Sequence, residues 1–552
     1  MTFNVKNHHD ELLFLPLGGS GEIGMNLNLY QYKGKWLMVD LGAGFADDYM
    51  PGVDMLVSDI SYISKYKQDI VGLVLTHAHE DHLGAVQYLW DELRCPIYTT
   101  PFTAAFLRAK LTEMSFAKEV KITEIACGGG INLDPFTIEM IPLTHSAPEM
   151  QALVIRTELG NVLHTGDWKF DHDPMIGEAP DEERLKAYGD EGILALIGDS
   201  TNVFSPGTSG SEGDLRKSMI QLIGQCKKMV AVTTFASNVA RIETIARAAT
   251  ANGRHVILAG RSLWRIVRAA QESGYLTDIN FLQDSEMAKY PRDKLLVLCT
   301  GCQGEPMAAT TKIATGNHPT VRLSAGDTVI FSSKIIPGND KKIFRLFNKL
   351  VKLGIEVLTE KDHFVHVSGH PCRGDLEKMV KLIRPQLLIP VHGELVHIHE
   401  HAKLGKQWGV PHTVQVANGD VVRLAPGKPE RIDKVEAGEL GIDGYFLLSP
   451  ESPVMKVRRR IQKEGIIMVT LLMENNGQLY ADPIIKAPGS LDAEEDSELL
   501  GYMADEVRDA LGDIRGKISD DVIYNQTRQA IRRIMKKEVG KSPLIEIHIA
   551  KI

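Results

Sequence analysis

The stretch from Val71 to Gly84 reads VGLVLTHAHEDHLG and decides the fold. Gly72–Leu75 has the apolar composition of a buried strand, and Leu83–Glu92 has the pattern of a helix. The loop between them holds three imidazoles and a carboxylate, which belong to His77, His79, Asp81 and His82. A single histidine is usually an ordinary polar residue, but imidazole and carboxylate together are the usual ligands of Zn²⁺ or Mn²⁺. This cluster directly after a strand therefore predicts a metal site.

Three other predicted strands also end in a histidine or an aspartate. His145 follows Phe136–Ile141, and His392 follows Leu387–Val391. Asp167 ends the strand-like run NVLHTG. Loops at the carboxyl ends of strands are where sandwiched and open sheets place their chemistry. We expect these three side chains to join the first cluster.

The order HxHxDH, histidine, aspartate and distant histidine resembles the metallo-β-lactamase superfamily, from Leu12 to about Leu424 apart from an insertion. The resemblance implies an αββα sandwich that binds two Zn²⁺, either of which could be Mn²⁺. The implied ligands of one ion are His77, His79 and His145, those of the other are Asp81, His82 and His392, and Asp167 bridges both. Such a pair of ions suits in-line displacement at phosphorus.

A glycine-rich segment near the start offers a different interpretation. Gly19, Gly21 and Gly24 form a GxGxxG motif, and Asp40 follows at about the distance of a ribose-binding carboxylate. A dinucleotide-binding unit needs a helix directly after the glycines, whereas the run NLNLYQY alternates like a strand. The segment therefore predicts a β-meander, and Asp40 fits the early structural aspartate of the superfamily.

The interval between Asp167 and His392 is too long for a loop. Its apolar strands are Leu194–Ile197, Met229–Thr233, His255–Leu258, Lys294–Cys299 and Thr328–Phe331. Its helical stretches are Asp214–Cys226, Asn238–Ala251, Ser262–Ser273 and Lys341–Leu353. Alternation of this kind predicts an inserted α/β domain. We expect domains at residues 1–204, 205–360, 361–448 and 449–552, in which the first and third form one metallo-β-lactamase domain.

The insertion resembles the β-CASP domain of nucleic-acid-processing enzymes. Asp199, in the run IGDSTN, matches the first β-CASP acid, and His370 matches its histidine. Three further stretches, Thr234–Arg241, Thr300–Pro306 and Ser332–Asn339, are similar to the ribonuclease J family. The resemblance implies a nuclease whose catalytic residues are Asp81, Asp199 and His370. Asp199 would fix a ligand imidazole, while His370 would orient the scissile phosphate or assist the leaving oxygen.

Two short stretches have the composition of a phosphate site. His366, Val367, Ser368, Gly369 and His370 combine two imidazoles and a hydroxyl with a glycine that lets a ligand approach the backbone. Ser237 and Asn238 stand before the helix that starts near Val239, where free N–H groups favour an anion. Two turns with capping residues are the alternative. The resemblance implies a grip on the 5′-monophosphate of single-stranded RNA.

A small α+β unit is predicted after about Pro450 and resembles the C-terminal domain of the ribonuclease J family. Its expected elements are the strands Gly465–Met473, Leu479–Ile485 and Leu544–Ala550 and the helices Asp492–Leu511 and Asp520–Glu538. The resemblance implies a homodimer or homotetramer. Basic residues within Lys456–Lys463 and between Arg528 and Lys537 could contact RNA or form a solvated face.

Composition limits the remaining possibilities. The net charge is −9, so RNA binding must use local positive grooves. The six cysteines are scattered, Cys299 and Cys302 form an isolated CxxC motif, and neither a signal peptide nor a membrane span is visible, which together favour the cytoplasm. Pro51–Val53 with Asp443 weakly resembles a structural Ca²⁺ site of some relatives.

Several functions fit the metal ligands. A thioester or lactone hydrolase would not need the insertion, an inactive scaffold would not need all seven ligands, and cleavage of DNA stays open. We therefore expect a two-metal ribonuclease that acts 5′-to-3′ on 5′-monophosphorylated RNA and also cleaves internally. The family resemblance implies roles in rRNA maturation and mRNA decay.

Overall fold

The computed structural model describes residues 3–475, 477–512 and 519–552. The chain divides into two compact units. The larger comprises Met1–Gly44 and Val57–Gly438, and the smaller comprises Phe45–Leu56 and Glu439–Ile552. The short strands Ala43–Phe45 and Met55–Ser58 contain the positions where the chain passes between the units. The four domain boundaries expected from the sequence stay predictions.

Two mixed sheets form the centre of the larger unit. The first has the order Glu430–Lys434, Asp420–Ala425, Leu12–Gly18, Leu27–Tyr32, Lys35–Val39, Ile70–Val74, Ile97–Thr99 and Ile122–Glu124. The second has the order Gly130–Leu133, Phe136–Pro142, Gln151–Thr157, Gly160–His164, Ala195–Asp199, Leu387–Val391 and His412–Thr413. Their facing side chains make one apolar core, which includes Phe14, Tyr30, Phe136, Leu153 and Ile389.

Helices cover the outer faces of both sheets. On the second sheet, Leu185, Leu376 and Leu404 pack from three helices against strand residues such as Leu163 and Leu196. The helices of this part of the chain are Glu80–Leu83, Val86–Leu93, Pro101–Leu111, Glu182–Glu191, Arg373–Ile383 and Leu395–Gln407. The 3₁₀ turns of the larger unit are Val5–His8, Ile63–Asp69, Asp284–Lys289 and Arg292–Lys294. The predicted αββα sandwich is confirmed.

The third sheet of the larger unit is the predicted insertion, and all six of its strands are parallel. The order is Phe281–Gln283, His255–Ala259, Leu295–Cys299, Val230–Thr233, Thr328–Phe331 and Glu356–Leu358. The helices are Glu212–Gln225, Val239–Ala251, Arg261–Glu272, Ala309–Ala314 and Asp340–Lys352. The strand expected at Leu194–Ile197 forms as Ala195–Asp199, but it belongs to the second sheet. It is parallel there to Leu387–Val391, which carries His392.

The glycine-rich segment does not form a dinucleotide-binding unit, but pairs with the backbone beside a predicted metal ligand. Ser20–Gly21 pairs in parallel with Gly393–Glu394, directly after His392. Gly42 lies against the loop of the first cluster, and a Cβ atom there would stand 1.8 Å from the carbonyl oxygen of Asp81. Only glycine allows this approach, so the meander fixes the backbone of two predicted ligands.

The smaller unit is mixed α and β, as predicted. Its elements are the hairpin Glu439–Asp443 with Phe446–Leu448, the helices Pro453–Glu464, Ser497–Gly512 and Asp520–Ile534, and the sheet Ile484–Lys486, Ile466–Met473 and Leu544–Lys551. The helix Asp520–Ile534 continues into a π turn at Met535–Val539. The sequence analysis missed the helix Pro453–Glu464. The strand expected at Leu479–Ile485 forms as Ile484–Lys486, and the helix expected at Asp492–Leu511 forms as Ser497–Gly512. None of the described helices combines the length and apolar composition needed to cross a membrane.

Candidate metal centre

All seven predicted ligands meet at the carboxyl ends of sandwich strands. His77, His79, Asp81 and His82 follow Ile70–Val74, and His145 follows Phe136–Pro142. Asp167 follows Gly160–His164, and His392 follows Leu387–Val391. Three groups share Asp167, and within each the donor atoms lie within 4.8 Å of one another. The two clusters made of predicted ligands are His77, His79, His145 and Asp167, the first cluster, and Asp81, His82, His392 and Asp167, the second cluster. The third group joins Asp167 and His392 to Asp199 and His370.

Three imidazoles of the first cluster aim a nitrogen at one point. The Nδ1 atom of His79 is 3.1 Å from Nε2 of His77 and 3.0 Å from Nε2 of His145. Ligand nitrogens about 2.0–2.1 Å from a tetrahedral ion would be about 3.3 Å apart, so these spacings are close to those of a zinc site. The donor set therefore fits a metal ion.

Asp167 gives independent support for two ions. Its Oδ2 atom is 3.0 Å from Nε2 of His82, whereas the buried Oδ1 atom has no hydrogen-bond partner among the described residues. An unpaired buried carboxylate oxygen is costly, and a cation would compensate it. On the far side, Oδ2 of Asp81 is 3.1 Å from Nε2 of His392.

The outward nitrogen of each ligand imidazole has its own partner, which fixes ring orientation and tautomer. The pairs are His77 with Thr76 Oγ1 at 3.0 Å, His79 with Ser146 Oγ at 3.2 Å, His82 with Asp40 Oδ2 at 2.7 Å, His145 with the Gly369 carbonyl at 2.6 Å, and His392 with Thr201 Oγ1 at 2.7 Å. The family resemblance identified Asp40 as a structural aspartate, but not as the partner of His82. No sequence signal identified Thr76, Ser146 and Thr201, because small hydroxyl residues are common in loops.

Backbone strain is concentrated at two of these positions. Asp40 has φ of 62° and His392 has φ of 52°, in the left-handed region that non-glycine residues rarely adopt. Each such residue costs of the order of 1–3 kcal/mol and persists only where its surroundings hold it. The Asp40 amide donates to the Val74 carbonyl at 2.9 Å, and the His392 amide donates to the Gly19 carbonyl at 2.6 Å.

The imidazole pKa values are shifted in opposite directions in the two clusters. Burial, reinforced by neighbouring imidazoles, lowers the pKa values of His77 and His145 well below the ordinary range. Burial has the same tendency at His82 and His392, but nearby carboxylates, Asp167 foremost, raise their pKa values well above that range. These imidazoles of the first cluster therefore favour the neutral form, which is the form that binds a metal. The second lies in a negative field that favours any cation.

Asp199 and His370 form a pair beside the second cluster. Oδ2 of Asp199 is 2.8 Å from Nδ1 of His370, and Oδ1 of Asp199 accepts from the Thr201 amide at 2.8 Å. Burial tends to lower the pKa of His370, but Asp199 and Asp167 raise it above the ordinary value. The His370 ring stacks on that of His392, with centroids 5.4 Å apart. The imidazole of His370, held by Asp199, therefore lies beside the predicted metal site, with Nδ1 3.8 Å from Oδ2 of Asp167.

The loop His366–His370 is tied to the metal site and to the insertion. The Gly369 carbonyl holds His145, and Ser368 Oγ accepts from the His370 amide at 3.0 Å and from Asn202 Nδ2 at 2.7 Å. Because both of these contacts use Oγ as an acceptor, the Ser368 O–H can still donate to a ligand.

Arg241 is the residue of this region that sequence reasoning missed as part of the site. Its side chain is fully buried and paired with Glu212, with Nε 2.7 Å from Oε1. The two terminal nitrogens of the same guanidinium also donate hydrogen bonds. Nη1 donates to the Ser332 carbonyl and hydroxyl at 3.0 and 2.9 Å and to His366 Nδ1 at 3.3 Å, and Nη2 donates to the Val367 carbonyl at 3.2 Å. The sequence feature that could have revealed Arg241 is an arginine in the first turn of a helix with an apolar inner face.

The second half of the predicted phosphate site is a helix start. Asn238 caps the helix Val239–Ala251, and its side-chain oxygen accepts from the Arg241 amide at 2.8 Å. This oxygen therefore caps the helix, as the alternative interpretation of the sequence predicted. The side-chain nitrogen of Asn238 remains available to donate a hydrogen bond. Ser237 is half-buried at the same turn. The helix docks beside the metal ligands, since the Ala240 amide donates to the Ser146 carbonyl at 3.1 Å.

Other titratable groups lie outside these clusters. His164 is buried against the hydroxyl of Tyr30, and His172 pairs with Glu182. Cys299 and Cys302 are free and buried, and burial raises their thiol pKa values to about 11 and about 12. Neither thiol belongs to a metal-binding group of the described residues.

Comparison with known proteins agrees with this geometry. Family models match as "Beta-lactamase superfamily domain" over residues 51–183, "Ribonuclease J, beta-CASP domain" over 227–350, "Zn-dependent metallo-hydrolase RNA specificity domain" over 354–415, and "Ribonuclease J C-terminal domain" over 453–552. A ribonuclease J of Sinorhizobium meliloti is 41% identical over 99% of each chain. The chain belongs to the ribonuclease J family.

Other members of the ribonuclease J family are more distant. The enzyme of Thermus thermophilus is 34% identical over 97% of this chain and 94% of its own, and that of Helicobacter pylori is 32% identical over 97% and 78%. A crystal structure of a protein of unknown function from Enterococcus faecalis has a TM-score of 0.53 and 18% identity, and covers 75% of this chain and 100% of its own. The latter supports the fold alone.

Membership makes the chain a hydrolytic nuclease of the metallo-β-lactamase and β-CASP type, as predicted. The histidine and aspartate clusters fit a two-metal site, and the match to an RNA specificity domain points to RNA as substrate.

The contact between Asp40 and His82 generates a prediction about metal binding. Asp40→Asn should weaken metal affinity by about 10–100-fold, because the carboxylate orients and polarises a ligand imidazole. Metal retained during dialysis against increasing chelator measures the effect. Asp69→Asn is the control, since it removes the same charge from an exposed pair with Lys35. Equal retention by both variants would contradict this role.

Proposed function

We propose that the chain degrades single-stranded RNA from a 5′-monophosphate, in the 5′-to-3′ direction, and also cleaves internally, with roles in rRNA maturation and mRNA decay. The observation that carries the proposal is the double anchoring of the loop His366–His370. One end holds the metal ligand His145 through Gly369, and the other is held by Arg241 of the insertion. A terminal phosphate bound by this loop would lie at a fixed distance from the metals, as stepwise removal of nucleotides requires.

The metal ligands are proposed as the sequence predicted them: His77, His79 and His145 for one ion, Asp81, His82 and His392 for the other, and Asp167 between them. Two bound ions would supply an activated water and stabilise charge on the attacking and leaving oxygens. Imidazole and carboxylate accept both Zn²⁺ and Mn²⁺, and zinc is proposed from the family model. The loops hold these groups rigidly, through hydrogen bonds on the outward nitrogens.

His370 is proposed to handle the proton at the scissile phosphate. Its Nδ1 is held by Asp199, so Nε2–H is the group available for a phosphate oxygen or for the leaving oxygen. Asp199 is proposed to act through two imidazoles, because its second oxygen is 3.6 Å from Nδ1 of His392. Loss of Asp199 would therefore affect both proton transfer and ligand orientation.

The terminal phosphate is proposed to bind donors that the structure leaves available. Arg241 donates to Nδ1 of His366, which places the remaining ring proton on Nε2. Nε2–H of His366, the hydroxyl of Ser368, Ser237 and the side-chain amide of Asn238 are the proposed donors. Such hydrogen bonds to a charged group are worth about 1.5–3 kcal/mol each.

The remaining expectations stay predictions. A homodimer or homotetramer is proposed from family resemblance, and a cytoplasmic location from the scattered cysteines. The calcium site has a competitor, because Asp443 pairs with Arg458 at 2.6 Å and this guanidinium also lies 3.5 Å from the Pro51 carbonyl.

The direct test uses RNA labelled at its 3′ end that carries a 5′-monophosphate or a 5′-triphosphate, with Mn²⁺ or Zn²⁺ present. We expect nucleotides to be released one at a time from the monophosphate RNA, and little exonucleolytic release from the triphosphate RNA. Chelated protein and Asp81→Ala should release none. A matching single-stranded DNA shows whether the sugar matters. Absence of RNA cleavage by metal-loaded protein would contradict the proposal.

Arg241→Lys tests the anchoring of the phosphate loop. Lysine keeps the charge beside Glu212 but loses the contacts to Ser332, His366 and Val367, so KM for 5′-monophosphorylated RNA should rise about tenfold or more. Hydrolysis of a small phosphodiester such as bis(p-nitrophenyl) phosphate should persist, because the metal ligands are untouched.

The matched control for that variant is Arg247→Lys, on the same helix but in an exposed pair with Asp278. Melting temperatures of both variants identify any general loss of stability. If Arg241→Lys keeps the wild-type preference for a 5′-monophosphate over a 5′-hydroxyl, the loop does not depend on Arg241.

A further inference from the structure

The helix Asp340–Lys352 of the insertion, here called the basic helix, has an unusual outer face. Five of its thirteen residues are cations and one is an acid. The cations are Lys341, Lys342, Arg345, Lys349 and Lys352, and all are exposed. The chain as a whole has a net charge of −9, so this helix is a local exception to its charge balance.

None of these five cations forms an ion pair or a side-chain hydrogen bond within residues 3–475, 477–512 and 519–552. Cations elsewhere on the insertion do have partners, for example Arg247 with Asp278 and Arg292 with Asp327. Unneutralised positive charge on an otherwise acidic protein attracts a polyanion.

The cations have a regular arrangement. Ile343, Leu346 and Leu350 are the buried residues that pack the helix onto its sheet. On the opposite side, positions 341, 345, 349 and 352 recur every three or four residues and form one stripe, in which successive residues are about 4.5–6 Å apart along the axis. An apolar stripe runs beside it, made of Phe344 and Val351, which are 50% and 60% exposed. Phe344 packs edge-on against Phe347, with ring centroids 5.8 Å apart, which leaves part of its ring free.

The helix begins near the proposed phosphate pocket. All strands of the third sheet are parallel, so the loops after Val230–Thr233, Leu295–Cys299 and Thr328–Phe331 meet at one edge. The last of these contains Ser332, which holds Arg241, and leads directly into the helix.

The loop with Gln303 and Gly304, at the same edge, holds the backbone between Ser332 and the basic helix. Gln303 donates to the Lys334 carbonyl at 2.9 Å and accepts from the Ile336 amide at 3.0 Å. A Cβ atom at Gly304 would stand 2.9 Å from the Lys342 backbone. Lys334 is itself exposed, and its charge contributes, after burial and Arg241, to lowering the pKa of His366. Positive charge therefore continues from the pocket to the basic helix.

We propose that the basic helix is a binding surface for single-stranded RNA downstream of the 5′ end. The cationic stripe would contact successive phosphates of the backbone, and the exposed ring of Phe344 would stack on a base, the combination typical of sequence-independent single-strand binding. This surface goes beyond the proposed 5′-end chemistry, although it relies on RNA being the substrate. Because the helix would contact only the phosphates and the faces of the bases, we expect it to have no base preference.

The test compares the full-length, metal-loaded variant Lys341→Gln/Arg345→Gln/Lys349→Gln with wild type. The ligand is a 5′-monophosphorylated RNA with phosphorothioate linkages that resist hydrolysis, in a short form that fills only the pocket and in a form several times longer. Fluorescence anisotropy at several salt concentrations gives Kd. We expect Kd for the long RNA to rise about tenfold, and the slope of log K against log salt to fall by about 2, because each lost phosphate contact removes about 0.7.

The control variant is Lys65→Gln/Lys67→Gln/Lys121→Gln. These lysines are also exposed, but they precede the strands Ile70–Val74 and Ile122–Glu124, at the edge of the first sheet opposite His77. The control should bind both RNAs as wild type does. Phe344→Ala should weaken binding of the long RNA about fivefold with the salt slope unchanged, since stacking is not ionic.

Unchanged Kd and salt slope in the basic-helix variant would overturn the proposal and point to a different partner, such as an acidic protein. Equal weakening of the short and long RNAs, or loss of small-phosphodiester hydrolysis, would also overturn it, because the effect would then arise in the pocket or the metal site. Failure of wild type to bind either RNA would instead contradict the proposed function.

Discussion

The structure depends on one convergence of charge: the carboxylate of Asp167 lies between two groups of imidazoles, and one of its buried oxygens has no hydrogen-bond partner among the described residues. Such an arrangement is unfavourable by itself, and cations make it favourable. The same demand explains the strained backbone at Asp40 and His392, because both residues are held in the left-handed region to orient groups at this centre. The sandwich supplies rigidity through four largely buried strands that end at the site.

The inserted domain is joined to this centre by a buried ionic chain. Lys169, two residues after Asp167, lies 2.8 Å from Asp171, whose carboxylate accepts from the Glu212 amide at 2.8 Å. Glu212 pairs with Arg241, which holds the loop of His366. Breaking a buried pair costs about 3–5 kcal/mol, so the chain resists rearrangement. The separation between the predicted metal centre and the proposed phosphate pocket is therefore a built-in property of the fold, as the proposed removal of nucleotides from a 5′ end would require.

Much of the candidate site could be predicted from the sequence, because the predicted ligands lie in short motifs at strand ends and strand prediction places them at one edge. His77 through His82 could be assigned from spacing, and the distant His392 from the family pattern. Arg241 and Thr201 could not, because their partners His366 and His392 lie 125 and 191 residues further along the chain and only the topology brings them together. The capping role of Asn238 was foreseen as an alternative, whereas the helix Pro453–Glu464 was hidden by its charged composition.

The central claim is that Asp167 bridges two ions in a preformed site. Anomalous diffraction from crystals of the full-length protein, recorded on either side of the zinc and manganese absorption edges, tests it most directly. The account predicts two peaks on opposite sides of Asp167, one among His77, His79 and His145 and the other among Asp81, His82 and His392. A single peak, or peaks that do not contact Asp167, would contradict it.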